Sequence, residues 1–209
     1  MRIRIIFSKT GALRYTGHLD LHTLLERAAR RAQLPLAYSQ GFHPTPKIQL
    51  ASALPLGISS RAEMMDVWLT TDCEINQVRD SFQAALPRDI QILDIQIVDD
   101  RAPALQTQLI AAEYEATIPD EHASNLTSRL AALSDALSLP RERRGKTYDL
   151  KPLIESLEAA PADSSGKTRL FMRLSARERA TGRPEEVLSA LGIPPEDVRV
   201  ERTRLIFQG

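Results

Sequence analysis

One order of hydrophobic periodicity occurs twice along this chain, and it narrows the possible folds further than any other feature. Residues 2–8 alternate, with Ile3, Ile5 and Phe7 on one face and Arg2, Arg4 and Ser8 on the other, which predicts a strand. Within residues 18–33, Leu21, Leu24, Leu25, Ala28 and Ala32 recur at helical spacing, and Pro35 helps end the helix. An extended piece near 47–54, a strand at 64–71, a helix at 74–86 stopped by Pro87, and a strand at 90–98 complete a first set. Residues 99–106 carry acid and Pro103 without periodicity and read as a linker. The second set runs as a strand at 109–118, a helix at 121–139, a strand at 141–148, a strand at 167–175, a helix at 184–191 and a strand at 198–207. Its interruption, 150–165, reads as a short helix followed by a small, flexible tract.

Two sets of this order describe an α+β chain of two tandem ferredoxin-like (βαββαβ) domains, expected at 1–100 and 106–209. A length of 209 residues is enough to bury such cores. The single cysteine, Cys73, excludes an internal disulfide and cannot supply the thiolates of a zinc or iron-sulfur site, so no cofactor or metal is expected. A lone thiol, a short N-terminal apolar run and no stretch of ~20 apolar residues make a cytoplasmic protein with no membrane partner the expectation.

The formal net charge of zero hides a polarity along the chain. Residues 1–62 hold nine Lys and Arg against Asp20 and Glu26, a net of +7, whereas residues 63–100 hold Arg79 and Arg88 against nine acids, a net of −7. A basic lobe suits a phosphate-rich partner or an acidic protein surface, and equally a solvated face. Gly17 and Asp20 read as a helix N-cap and its N3 carboxylate. His18, at the first helical position, borders unsatisfied amides that favour anions, and it is the candidate for proton transfer. His18 and His22 are four apart, but no third metal ligand accompanies them. Arg27, Arg30 and Arg31 can each grip a phosphate through a planar fork.

The loop at 38–47, YSQGFHPTPK, sets an aromatic on either side of Gly41 and stiffens the backbone with Pro44 and Pro46. Tyr38 and Phe42 can stack on a base, with His43 and Lys47 toward phosphate. The competing reading has Phe42 plugging the core. No Walker or dinucleotide glycine spacing, nucleophile elbow or His-Glu-x-x-His occurs. Neither Asp66-Val-Trp-Leu nor Arg169-Leu-Phe-Met-Arg173 reproduces the pattern of an RNA-recognition motif.

These residues resemble a family of uncharacterised bacterial domains associated with radical SAM proteins. The resemblance runs through Phe7-Ser-Lys, His18-Leu-Asp20, Arg27, Ala29-Arg-Arg-Ala32, Leu34-Pro35, Tyr38-Ser39, Gly41-Phe42, Pro44, Pro46-Lys47, Pro55-Leu-Gly57, Ser60 and Glu63. Gly17 and Thr45 depart from it, where Ser and Arg are usual. The family domain often follows, or is encoded beside, a cobalamin-binding radical SAM module, and related genes neighbour ribosomal-protein and ribonuclease genes. The resemblance therefore implies a non-catalytic accessory linked to RNA and to a separate radical SAM enzyme. Binding to RNA or to that partner falls on His18, Arg27, Arg30, Arg31, Tyr38, Ser39, Phe42, His43 and Lys47. Two other readings stand beside it: a metal-independent endoribonuclease using His18 or His43, and a protein-interaction subunit without nucleic acid.

Overall fold

A computed structural model describes residues 1–143, 145–160 and 167–208 and divides the chain into two compact units, Met1–Leu109 and Ile110–Gly209. Both mix strands with helices. Arg144 and most of the tract expected to be flexible, 161–166, lie outside the described residues. Among the described residues no helix is long and apolar enough to cross a membrane.

The first unit contains β1 (Arg2–Lys9), α1 (His18–Arg31), β2 (Ile48–Leu50), β3 (Ser59–Trp68), α2 (Ile75–Ala85), β4 (Ile90–Val98) and a short α3 (Leu105–Gln108). Its strands lie in the order β2-β3-β1-β4, and every pair is antiparallel. The alternation read from residues 2–8 decides what each face does. Ile3, Ile5 and Phe7 are fully buried and join Met65, Val67, Leu21, Leu25, Ala28, Ala29, Val78 and Phe82 in one core.

The opposite face of β1 is charged yet closed. Asp66 is fully buried and receives Arg2 at 2.5 Å and Arg4 at 2.8 Å. Arg2 also donates to the Ala102 carbonyl at 2.6 Å and the Pro103 carbonyl at 3.0 Å, and lies 4.7 Å from the Trp68 ring centre. Residues 99–106, expected as a linker, are thus tied into the first unit by the second residue of the chain. β3 begins five residues earlier than the expected start at 64, because Ser59, Ser60 and Glu63 are buried polar residues that leave no apolar alternation to read.

The second unit comprises β5 (Leu109–Ile118), α4 (Asp120–Ala123), α5 (Leu126–Asp135), β6 (Pro140–Arg143), β7 (Lys146–Asp149), β8 (Ile154–Ala160), β9 (Thr168–Arg177), β10 (Ala180–Thr181), α6 (Pro184–Ala190) and β11 (Arg199–Phe207). Its main strands follow the order β8-β9-β5-β11, with β10 on β9. Tyr114 opposite Met172 and Ala116 opposite Leu170 give the buried face.

Three expectations change here. The single helix expected at 121–139 is broken at Ser124 and Asn125, and Asn125 takes a left-handed φ of 57°. The Arg129 guanidinium gathers the carbonyls of His122, Ser124 and Leu191 at this corner, satisfying backbone that a continuous helix would have paired. The strand expected at 141–148 is a hairpin, β6 against β7, turned at Gly145 with φ 71°. The short helix expected after residue 150 is only a 3-10 turn at Lys151–Leu153, followed by β8. The helix-favouring residues of IESLEAA yield there to ladder pairing with β9.

Candidate functional site

The loop at 38–47 is built as a stalk carrying an open tip. At its root, Ala37 N–H donates to the Trp68 carbonyl at 2.8 Å and Lys47 N–H to the Ala37 carbonyl at 2.8 Å, extending the edge of β3. Higher up, Ser39 N–H donates to the Thr45 carbonyl at 2.8 Å, and Thr45 N–H donates to the Ser39 hydroxyl oxygen at 3.0 Å. Ser39 therefore braces the loop from within. Pro46 is buried, and Gly41 takes a φ of 127° that side chains rarely adopt, so the chain reverses above the brace.

Phe42 stands on this tip fully exposed, at 102% of its reference area. It plugs no core. His43 and Lys47 are exposed on the same loop. A large aromatic that is held in water by a braced backbone has no folding role, and such a side chain is suited to stacking on a partner's ring.

Helix α1 brings part of the basic set to the loop. The Arg30 guanidinium lies 5.6 Å from the Tyr38 ring centre and is paired with Glu26 at 2.7 Å. Arg27 is one turn away on the same helical face and exposed. Arg31 differs from the expectation. Its guanidinium donates to the Ala85 carbonyl at 2.7 Å, where it serves the C-terminal end of α2.

His18 is not brought to this site. It sits half-buried in the first turn of α1, about 18 Å of helix axis from Arg30. The expected cap also changes. Gly17 is the N-cap, but among the described residues the Asp20 carboxylate makes no hydrogen bond to its amide. His22 directs Nε2 at the Ile48 carbonyl, 3.1 Å away, which uses the ring in structure. The two histidines offered for acid–base work, His18 and His43, are thus carried on a helix start and on an exposed loop tip.

The second unit holds groupings that sequence reading passed over. Glu121, His122 and Asp197 place one potential ligand atom each within 4.8 Å of one another, and His122 Nε2 lies 3.1 Å from Asp197. A cleft of about 470 Å³ beside them is lined by Lys167, Arg169 and Arg199 together with Asp120 and Asp197. Arg169 is paired with Glu115. Opposed charges line the cleft together, so it has no single electrostatic sign. No sequence signal joins these residues, because they come from α4, the start of β9 and the 3-10 turn that leads into β11, far apart in the chain.

A family model described as "Uncharacterized protein conserved in bacteria (DUF2344)" matches residues 2–184. No curated protein matches the chain.

Proposed function

Since the chain belongs to that bacterial family, whose description assigns no activity, we propose from the geometry that it is an RNA-binding accessory protein that presents RNA to a separate radical SAM enzyme. One observation carries the RNA half of the reading: Phe42 is fully exposed on a loop fastened by four backbone and side-chain hydrogen bonds, with the Arg30–Tyr38 stack at its foot. Phe42 and Tyr38 supply ring faces, while Arg27, Arg30, His43 and Lys47 supply charge for the strand's phosphates. The radical SAM half rests on the sequence resemblance and on donor chemistry. Cys73 alone cannot ligate an iron-sulfur cluster, so any such chemistry belongs to a partner.

In this reading each unit is a ferredoxin-like domain, a proposal supported by the matching strand orders within the two units. A reducing cytoplasm suits the single thiol. The endoribonuclease reading gains no support from the positions of His18 and His43.

Fluorescence anisotropy with a single-stranded RNA of mixed sequence tests the proposal. Binding that weakens with salt and weakens further in Phe42→Ala and in Arg27→Ala/Arg30→Ala is expected. Equal affinity in all three proteins would remove the loop and helix from any RNA site. Absence of binding by the unaltered protein, with capture of an acidic partner protein instead, would favour the interaction-subunit reading.

A further inference from the structure

Among the described residues, strands β6 and β7 pair only with each other and form a two-stranded sheet of their own. The main sheet of the second unit is complete without them. An isolated two-stranded hairpin is marginal in water, so this one depends on its root. There Asp149 Oδ1 accepts the Leu139 N–H at 2.7 Å and the Lys151 N–H at 2.9 Å, while Leu150 N–H donates to the Leu139 carbonyl at 2.9 Å. The element is therefore fastened to the unit and projects two short strands from it.

The register sorts its charges by face. Arg141 is opposite Tyr148 and Arg143 is opposite Lys146. Directly opposed residues project to one side, as do residues two apart on a strand. Arg141, Arg143, Lys146 and Tyr148 therefore share a face. Both acids of these strands, Glu142 and Asp149, fall on the other, with Thr147.

Helix α6 and its N-cap Arg183 bring both signs of charge beside this face. Burial and the neighbouring Glu186 carboxylate raise the pKa of the Tyr148 phenol, while Arg143 and Arg183 act against that shift. Glu186 thus lies beside Tyr148, and Glu185 is paired with Arg183 at 3.3 Å.

We propose that this face of the β6–β7 hairpin is a second polyanion-binding surface, and that its occupant is the sugar-phosphate backbone of RNA. The argument is charge complementarity with a repeat. Two residues along a strand advance ~6.6–6.8 Å, comparable with the step between successive phosphates. Arg143 offers a guanidinium fork to phosphate oxygens, Arg141 adds its charge although its Nη1 donates to the Pro140 carbonyl at 2.9 Å, and Lys146 is an exposed point charge at the turn. Phosphate contacts carry no sequence information, so the surface reads charge and spacing. The choice of RNA over another polyanion rests on the function proposed above.

The test compares four full-length proteins by anisotropy with a 30-nucleotide single-stranded RNA across a salt series: unaltered, Arg141→Gln/Arg143→Gln/Lys146→Gln, Glu142→Gln on the opposite face, and Phe42→Ala. The triple variant is expected to bind about tenfold or more weakly, and to lower the slope of log affinity against log salt by about 2, the value for three lost phosphate contacts on a single strand. Glu142→Gln is expected to match the unaltered protein. Far-ultraviolet circular dichroism and thermal melting establish that the triple variant is folded, and single Gln variants at each position replace it if it is not.

Unchanged affinity and slope in the triple and single variants, with Phe42→Ala still weakened, would overturn the hairpin proposal while leaving the RNA reading intact. A weakened triple variant with an unaffected Phe42→Ala would sustain the hairpin and remove the loop. Equal affinity for polyglutamate would overturn RNA as the occupant. No RNA binding by the unaltered protein would overturn both.

Discussion

Phe42 and Asp66 mark the two extremes of what one side chain does in this protein. Phe42 touches nothing that folding requires, so Phe42→Ala should shift the unfolding free energy by less than about 0.5 kcal/mol. The same change should remove about 1–3 kcal/mol of RNA binding, the worth of one stacked base. Urea titration and anisotropy on one preparation read both, and a large stability loss would mean that the ring is packed after all. Asp66 is the reverse case, fully buried between Arg2 and Arg4. Asp66→Ala leaves Arg2, itself 1% exposed, without its counter-charge, a change expected to cost about 3–5 kcal/mol. Denaturant unfolding checks it, and a loss below about 1 kcal/mol would show that Arg2 finds water or another acceptor. The loop's aromatics and prolines were legible as residues with a binding chemistry. Which aromatic faced water was not, because a sequence carries no burial for a residue that sits outside any period.

Among the elements, the hairpin and the β9–β10 corner depend on single contacts that local propensity does not reveal. The backbone amides of Leu139 and Lys151 bonded to its carboxylate hold Asp149 below its ordinary pKa. A carboxylate depressed in the folded state contributes stability that is fully present above its unfolded value and is lost as pH falls through the folded one. Acidification should therefore loosen the hairpin root before the strands of the main sheet. Hydrogen exchange at Leu139 and Lys151 should rise relative to Tyr114 as the pH drops, and Asp149→Asn should flatten that dependence. At the β9–β10 corner, Gly182 is buried, and a Cβ there would lie 2.9 Å from the Leu153 carbonyl oxygen and 3.2 Å from Leu174 Cβ. Gly182→Ala should destabilise by about 1–3 kcal/mol through overpacking, read as a lower denaturation midpoint at unchanged slope. The Lys151 bond to Asp149 is local, but the Leu139 bond and the packing of Gly182 on Leu153 and Leu174 join residues apart in the chain and left no sequence signal.

At the scale of the whole molecule, the linear charge polarity proves larger than the polarity presented to a partner. Part of the basic stretch is consumed inside the first unit: Arg2 and Arg4 meet Asp66 of the acidic stretch, Lys9 is buried with Nζ on the Thr16 carbonyl, and Arg31 serves α2. Antiparallel pairing of β1 with β3 folds the two stretches onto each other. The salt dependence of RNA binding should accordingly report the few exposed cations of α1 and the loop, together with those of the hairpin, and not the nine of residues 1–62. By itself the sequence determined the order of the main strands and helices of the first unit and the apolar faces of β1 and α1, because periods of 2 and 3.6 residues are local properties that survive without a partner. It also bounded the chemistry, since one thiol cannot build a cluster. Only the tertiary structure decided that β3 starts among buried polar residues, that IESLEAA is a strand, that Arg31 is structural, and that the cations of the hairpin share a face. Those outcomes turn on which backbone groups and charges find partners across the fold, and partners distant in sequence leave no periodic trace.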